Sequence, residues 1–264
     1  MTITLGGVEV KSTVDAPQNF SMLLWGQAKS GKTTLASTAP GKKLWINFDP
    51  DGTASLTGRD DIMVADYANE KHHVIIPKLL NEDPINLGVF LKDNPDIETV
   101  VIDSVTLLAA LVQAQAVKAK NLAPEEPGMR GYGVKNNWLN IILRNLIRVV
   151  KEQGRNVILI AHESAPDRDD KGTVVAIGLA LSESIAVGLS ALPSEVWHVS
   201  DDGGKRRIAV RPCRQRSPMG TRMFIATGDP EFYWKYDAVT RKGEGIADWF
   251  NRWREKGDKI PIPS

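Results

Sequence analysis

The segment Gly26-Gln27-Ala28-Lys29-Ser30-Gly31-Lys32-Thr33 satisfies the pattern G-x-x-x-x-G-K-[ST] at every fixed position. Few folds accommodate it. Its glycines let the backbone curl so that successive N–H groups converge on an anion. The curl needs a strand before it and a helix after it. FSMLLW (20–25) is a short apolar run that stops at Gly26, as a buried strand does. TTLASTA (33–39) reads as a helix closed near Pro40-Gly41, and its N-terminus adds a favourable dipole. The spacing lets Lys32 reach the β- and γ-phosphates of a nucleoside triphosphate and lets the Thr33 hydroxyl ligate Mg²⁺. Gly26 to Thr34 is the expected nucleotide-binding segment, with ATP and Mg²⁺ as ligands.

Apolar strands alternate with helices through residue 161. KLWINF (43–48), DIMVADY (61–67), ETVVID (98–103) and NVILIA (156–161) read as strands. Helices are expected over 74–92, with a break near Asp83-Pro84, and over 104–120 and 134–153. This alternation predicts an α/β fold with a mostly parallel sheet and helices on both faces. The Gly/Arg-rich last third reads as a short helix (182–191), antiparallel strands near 195–200, 205–212 and 221–226, and a C-terminal helix at 245–256. Residues 121–133 and 163–181 read as loops, the second a mobile one. The 264 residues suffice for one large domain, 20–264, behind a polar arm, 1–19.

A net charge of +1 gives no general attraction to nucleic acid, so any such surface must come from local clustering. One cysteine, Cys213, excludes an internal disulfide and fits a reducing interior. The N-terminus lacks the pattern of a signal peptide, and no stretch approaches the ~20 apolar residues of a membrane span. The expected location is cytoplasmic, with no membrane partner.

A triphosphate site also needs an acid at the tip of a neighbouring strand. Thr99-Val100-Val101-Ile102-Asp103 supplies one: the charge follows four residues suited to a buried strand, where that strand emerges. Asp103 is the expected Mg²⁺ residue, and it also stands where a helix N-cap would. After the second strand, Phe48-Asp49-Pro50-Asp51-Gly52-Thr53 places two carboxylates beside the P-loop strand. They read equally as a water-activating group or as an Asp/Pro/Gly turn. His162, at the end of NVILIA, stands where α/β sheets bind ligands and is a candidate γ-phosphate sensor.

Together these segments resemble the RecA-like superfamily of P-loop ATPases. FDPDGT (48–53) is similar to the D-x-E-G-T segment of strand-exchange recombinases, whose Glu activates the attacking water. The resemblance puts Asp51 at that catalytic position, with a carboxylate one methylene shorter. VIDSVTLL (101–108) resembles the V-D-S segment after the Mg²⁺ aspartate. VILIAHES (157–164) resembles the strand ending in Asn-Gln, with His162 on the Gln position. With Gly-Tyr-Gly before a basic helix, the combination looks closest to phage-encoded core-only RecA-like ATPases, nucleotide-binding or AAA-type proteins of which some are single-strand annealing recombinases. The resemblance spans about residues 20–215. It implies a catalytic set of Lys32, Asp51, Asp103 and His162, action on single-stranded DNA in the host cytoplasm, and assembly into a ring or filament.

It also implies DNA contact from the regions matching 121–133 and 163–181. Arg130 and Tyr132 fall in the first, where a cation and a stacking ring suit single-stranded DNA. The helix behind it carries Asn137, Asn140, Arg144, Arg148 and Lys151 on one polar face, read equally as a solvated surface. Seven cations, Lys205, Arg206, Arg207, Arg211, Arg214, Arg216 and Arg222, fall within eighteen residues. They read as a phosphate-backbone surface or as a finger completing the neighbouring subunit's site, with Lys205, Arg207, Arg214 and Arg216 as trans-acting candidates. Two other classes share the P-loop. One is an NTP-dependent scaffold, loader or regulator with little hydrolysis, consistent with Asp51 in place of Glu. The other is a small-molecule kinase, which the DPDG segment and His162 fit poorly.

Overall fold

The computed structural model describes residues 4–5, 8–9, 19–121, 128–213, 215–225 and 227–263. A two-stranded ribbon, β1 (Thr4–Leu5) with β2 (Val8–Glu9), precedes the main sheet. The main sheet is built from β3 (Ser21–Gly26), β4 (Lys42–Asn47), β5 (Ile62–Asp66), β6 (Ile97–Asp103), β7 (Asn156–His162), β10 (Glu195–Asp202), β11 (Lys205–Ala209) and β12 (Glu231–Tyr233). Between them, β8 (Asp167–Arg168) pairs with β9 (Val174–Ala176) as a separate hairpin. The helices are α1 (Lys32–Ala36), α2 (His72–Asn81), α3 (Asp83–Asp93), α4 (Val105–Ala119), α5 (Gly128–Glu152), α6 (Glu183–Ala191) and α7 (Ile246–Lys256).

The strand order is β12-β11-β10-β3-β7-β6-β4-β5. The six strands from β10 to β5 run parallel, and β11 and β12 are antiparallel additions. The expected α/β class, mostly parallel sheet and C-terminal antiparallel strands are therefore present. The phosphate-loop strand β3 is the best protected, with all six residues buried. Its pleat divides the core in two. Leu23 and Trp25 join the face covered by α2 to α6. Met22 and Leu24 join the face covered by α1 and α7. Trp249, only 1% exposed, anchors α7 there beside Trp197 and Phe224. The tryptophans near the C-terminus thus pack the terminal helix.

Five sequence expectations are corrected. The strand carrying the FDPDGT turn is not beside the P-loop strand: β7 and β6 lie between β3 and β4. Asp103 likewise sits two strands from β3, not one. Strand order is set by long-range pairing and crossover connections, which local patterning does not encode. Residues 128–133 are the start of α5, not loop. Glycine costs about 1 kcal/mol per position in a helix, but the buried stripe of Leu139, Ile142, Leu143 and Leu146 stabilises the helix as a whole. The stretch 163–181 is tied down by the β8–β9 hairpin and by the Ser164 N–H bonding Gly178 and the Ile177 N–H bonding Gln215. Finally, 221–225 is no strand, and Ala226 lies outside the described residues. The buried Glu195 carboxylate takes the N–H groups of Arg222 (2.8 Å) and Met223 (3.0 Å), so those donors go to a side chain instead of a ladder.

Candidate phosphate site

The loop leaves β3 at Gly26, whose φ is +150°. A Cβ there would lie 2.0 Å from the Val199 carbonyl oxygen, so only glycine fits. The loop then turns through Lys29 (φ +64°) and Gly31 (φ +97°) before α1 begins. Helix α1 has only five residues, so the loop's own N–H groups carry more of any anion binding than a long dipole would.

Lys32 is 4% exposed. Its ammonium donates to the carbonyls of Gly26 (2.9 Å) and Gln27 (2.6 Å), which holds it over the loop. Burial lowers its pKa to about 8, against the pull of the Asp103, Glu163 and Asp49 carboxylates. It remains a cation at neutral pH. The buried Ser30 hydroxyl has no hydrogen-bond partner among the described residues. An orphaned donor, a glycine cradle and a held lysine are what a polyphosphate requires.

Asp103 reaches the same place from β6. The Thr33 hydroxyl donates to its carboxylate at 3.1 Å. Burial pushes the Asp103 carboxyl up to about 6, offset in part by that hydrogen bond. The fit for Mg²⁺ is good: a hydroxyl and a carboxylate, both hard oxygen donors, lie side by side. Ser104 forms the N-cap of α4, accepting the Leu107 N–H at 3.3 Å. Asp103 is thus released from the capping role its position also allowed.

His162 closes β7, with its N–H bonded to the Thr106 hydroxyl at 2.9 Å. Burial and the nearby Lys32 cation hold its imidazole below its usual pKa, which favours the neutral ring. Lys32, Thr33, Asp103 and His162 therefore converge. Asp51 does not converge with them in the same way. It is exposed, and its N–H bonds the Asp49 carboxylate at 3.1 Å in a tight turn. Asp49 is the carboxylate of that turn whose charge acts on Lys32, Asp103 and His162.

Two further residues at this edge escaped sequence reading. His198 on β10 bonds Glu163 through Nε2 at 2.8 Å, and the two side chains are 2% and 6% exposed. Burial lowers the His198 pKa more than the Glu163 bond raises it. Burial alone would raise the Glu163 carboxyl, but the bonds from His198 and Gln27 hold it below its usual range. The pair is a neutral imidazole donating to a carboxylate, linked through Gln27 to the phosphate loop. Period-2 alternation puts His198 on the same face as Val196, but only the β10–β3 pairing brings it to Glu163.

The other candidates are dispersed. Arg130 and Tyr132 lie at the start of α5, Arg144 and Arg148 about 18 and 24 Å further along it. Lys135 sits 5.3 Å over the Tyr132 ring, and Arg148 pairs with Glu152 at 2.9 Å. Arg207 is held in cis by Glu231 (2.8 Å), Asp202 (3.2 Å) and Tyr233. Arg216 is held by Glu231 at 3.0 Å. Lys205 is exposed, and Arg214 lies outside the described residues.

The family model for the AAA domain matches residues 18–215. No curated protein matches the chain. Among solved structures, one titled "Crystal structure of the RadB recombinase" aligns with a TM-score of 0.43 at 15% identity, over 83% of this chain and 88% of that one. No described helix is long and apolar enough to cross a membrane.

Proposed function

The chain belongs to the AAA domain family, and from this premise we propose that it is a RecA-like, Mg²⁺-dependent ATPase acting on single-stranded DNA in recombination. The observation that carries the ATPase reading is the meeting of Thr33 and Asp103 from distant parts of the chain beside Lys32. In this reading the loop N–H groups, Ser30 and Lys32 bind the triphosphate. Thr33 and Asp103 hold Mg²⁺, which neutralises phosphate charge. His162, neutral and beside Lys32, senses the γ-phosphate by hydrogen bonding and not by charge. The V-D-S and Ala-His-Glu resemblances support the DNA-directed and phage-type readings, as do the exposed Arg144 and Arg148 on α5. ATP acts as an assembly switch between subunits.

The turn after β4 offers two carboxylates for water activation. Asp51 holds the position the resemblance points to, and Asp49 holds the electrostatic contact with the site. Replacing Asp49 by Asn is expected to lower turnover at least tenfold, and Asp51→Asn less; the reverse order would return the role to Asp51. A second reading, a nucleotide-dependent scaffold with little hydrolysis, is favoured by the exposure of Asp51. The deciding experiment measures ATP turnover with and without single-stranded DNA, beside particle size. DNA-stimulated turnover with growth in size supports the recombinase reading. Tight ATP binding with no turnover supports the scaffold.

A further inference from the structure

We propose that Arg206 is a phosphate-binding residue acting in cis, a second cation for the nucleotide held by its own subunit's loop. The inference rests on the reading that Gly26–Thr33 binds a polyphosphate. Arg206 was expected to belong to a solvated, DNA-facing or trans-acting cluster. Instead its side chain lies against Gly31. A Cβ built on Gly31 would meet Arg206 Nε at 2.7 Å, Cδ at 2.9 Å and Cζ at 3.2 Å. The guanidinium therefore borders the backbone that carries the loop's N–H groups.

Pleating explains why this arginine differs from its neighbour. Arg206 and Arg207 are consecutive on β11 and face opposite sides of the sheet. Arg207 turns to the side where Glu231 and Asp202 bind it. Arg206 turns to the side of α1 and the loop. Among the described residues no carboxylate forms an ion pair with Arg206. Its recorded partner is the Trp234 ring, 5.5 Å from the guanidinium carbon. Trp234 is itself fixed, with Nε1 donating to the Glu244 carbonyl at 2.8 Å and its ring stacked on Tyr236 at 5.2 Å. An indole face orients a guanidinium without neutralising it. A planar cation aimed by a rigid ring, bordering an anion cradle, suits bidentate contact with phosphate oxygens.

The far side of Arg206 opens on a cavity of about 1070 Å³. Its lining carries both signs, with Asp201, Asp229, Glu231 and Asp237 beside Lys205 and Lys235, so it offers an anion no excess of cations. The anion's place is on the loop side of the guanidinium. Sequence density of cations does not report this; only the face each arginine occupies does.

The test uses the full chain and two ligands, Mg·ATP and inorganic tripolyphosphate, with binding read by calorimetry and by tryptophan emission. Arg206→Ala is expected to weaken both about tenfold, and Arg206→Lys less, because the charge survives while the planar fork is lost. Ligand-free melting should stay near wild type, which separates lost binding from lost folding. Unchanged affinity for both ligands overturns the proposal. So does loss for ATP alone, which would assign the guanidinium to the nucleoside. Mixing Arg206→Ala with Lys32→Ala protein adds a second check. A trans arrangement would restore binding at hybrid interfaces, whereas a cis residue predicts no recovery. If wild type binds neither ligand, or Lys32→Ala binds like wild type, the polyphosphate reading of the loop itself fails.

Discussion

The phosphate loop and the arginine-rich hairpin are both dense in charge, and they treat it oppositely. In the loop, protein groups leave charge uncompensated. Lys32 rests on carbonyl oxygens, Ser30 lacks a partner among the described residues, and Asp103 is pushed toward neutrality by burial. In the hairpin and the segment after it, three arginines are already held within the fold. Glu231 binds Arg207 and Arg216, and Arg211 donates to the Gly228 carbonyl. The loop is incomplete without a ligand, whereas Arg207, Arg211 and Arg216 already have partners in the fold. A count of cations therefore says little about what they bind; their partners within the fold decide it.

The comparison breaks most sharply at Lys32. Lys32→Ala should weaken ATP binding by about two orders of magnitude, roughly 3 kcal/mol, because a charge-assisted contact to phosphate is lost. Calorimetry checks it, and retained affinity would mean the loop is merely structural. The same change should leave melting unharmed, since burial disfavours the ammonium more than the surrounding carboxylates favour it.

Asp103→Asn tests whether the site stores instability. A carboxyl raised from 3.8 to about 6 in the fold keeps its proton longer there than in the unfolded chain. Its contribution to stability is full below the unfolded value and is lost as pH rises through the folded one. Above that window the ionised, buried Asp103 destabilises the ligand-free protein by on the order of 3 kcal/mol. Asp103→Asn should therefore raise the ligand-free melting temperature at pH 7, show no gain near pH 4, and abolish the Mg²⁺ dependence of ATP binding. Equal melting of the two proteins at pH 7 would sink the idea.

Glu231→Gln probes the hairpin. It removes the charge that holds Arg207 and Arg216, whose side chains are 14% and 16% exposed. The expected cost is about 2 kcal/mol of stability, read by chemical denaturation, with ATP affinity of the folded protein unchanged. A large loss of affinity without loss of stability would instead make the hairpin part of the nucleotide site.

Much of the chain was legible because its signals are local. Strand β3, the loop and α1 occupy one continuous stretch, and Asp103 announces itself as a charge ending an apolar run. Gly31 is required by its own φ as well as by Arg206. Other features were misread because they depend on residues far away in sequence. Nothing in the sequence around the Asp49–Asp51 turn encodes the two strands that separate it from β3. Residues 221–225 follow the Glu195 carboxylate, more than twenty positions upstream, and not their own alternation.

By itself, the sequence determined that this chain builds a phosphate loop between a buried strand and a helix, within a parallel sheet covered on both faces. Those outcomes follow from glycine conformational freedom, apolar periodicity and motif spacing, all properties of neighbouring residues. The tertiary structure alone decided which charges meet. It set Asp103 against Thr33, Glu163 against His198, Glu231 against two arginines, and Arg206 against the loop. Strand order and pleat direction place these groups, and both arise from pairings between segments that the chain brings together only on folding.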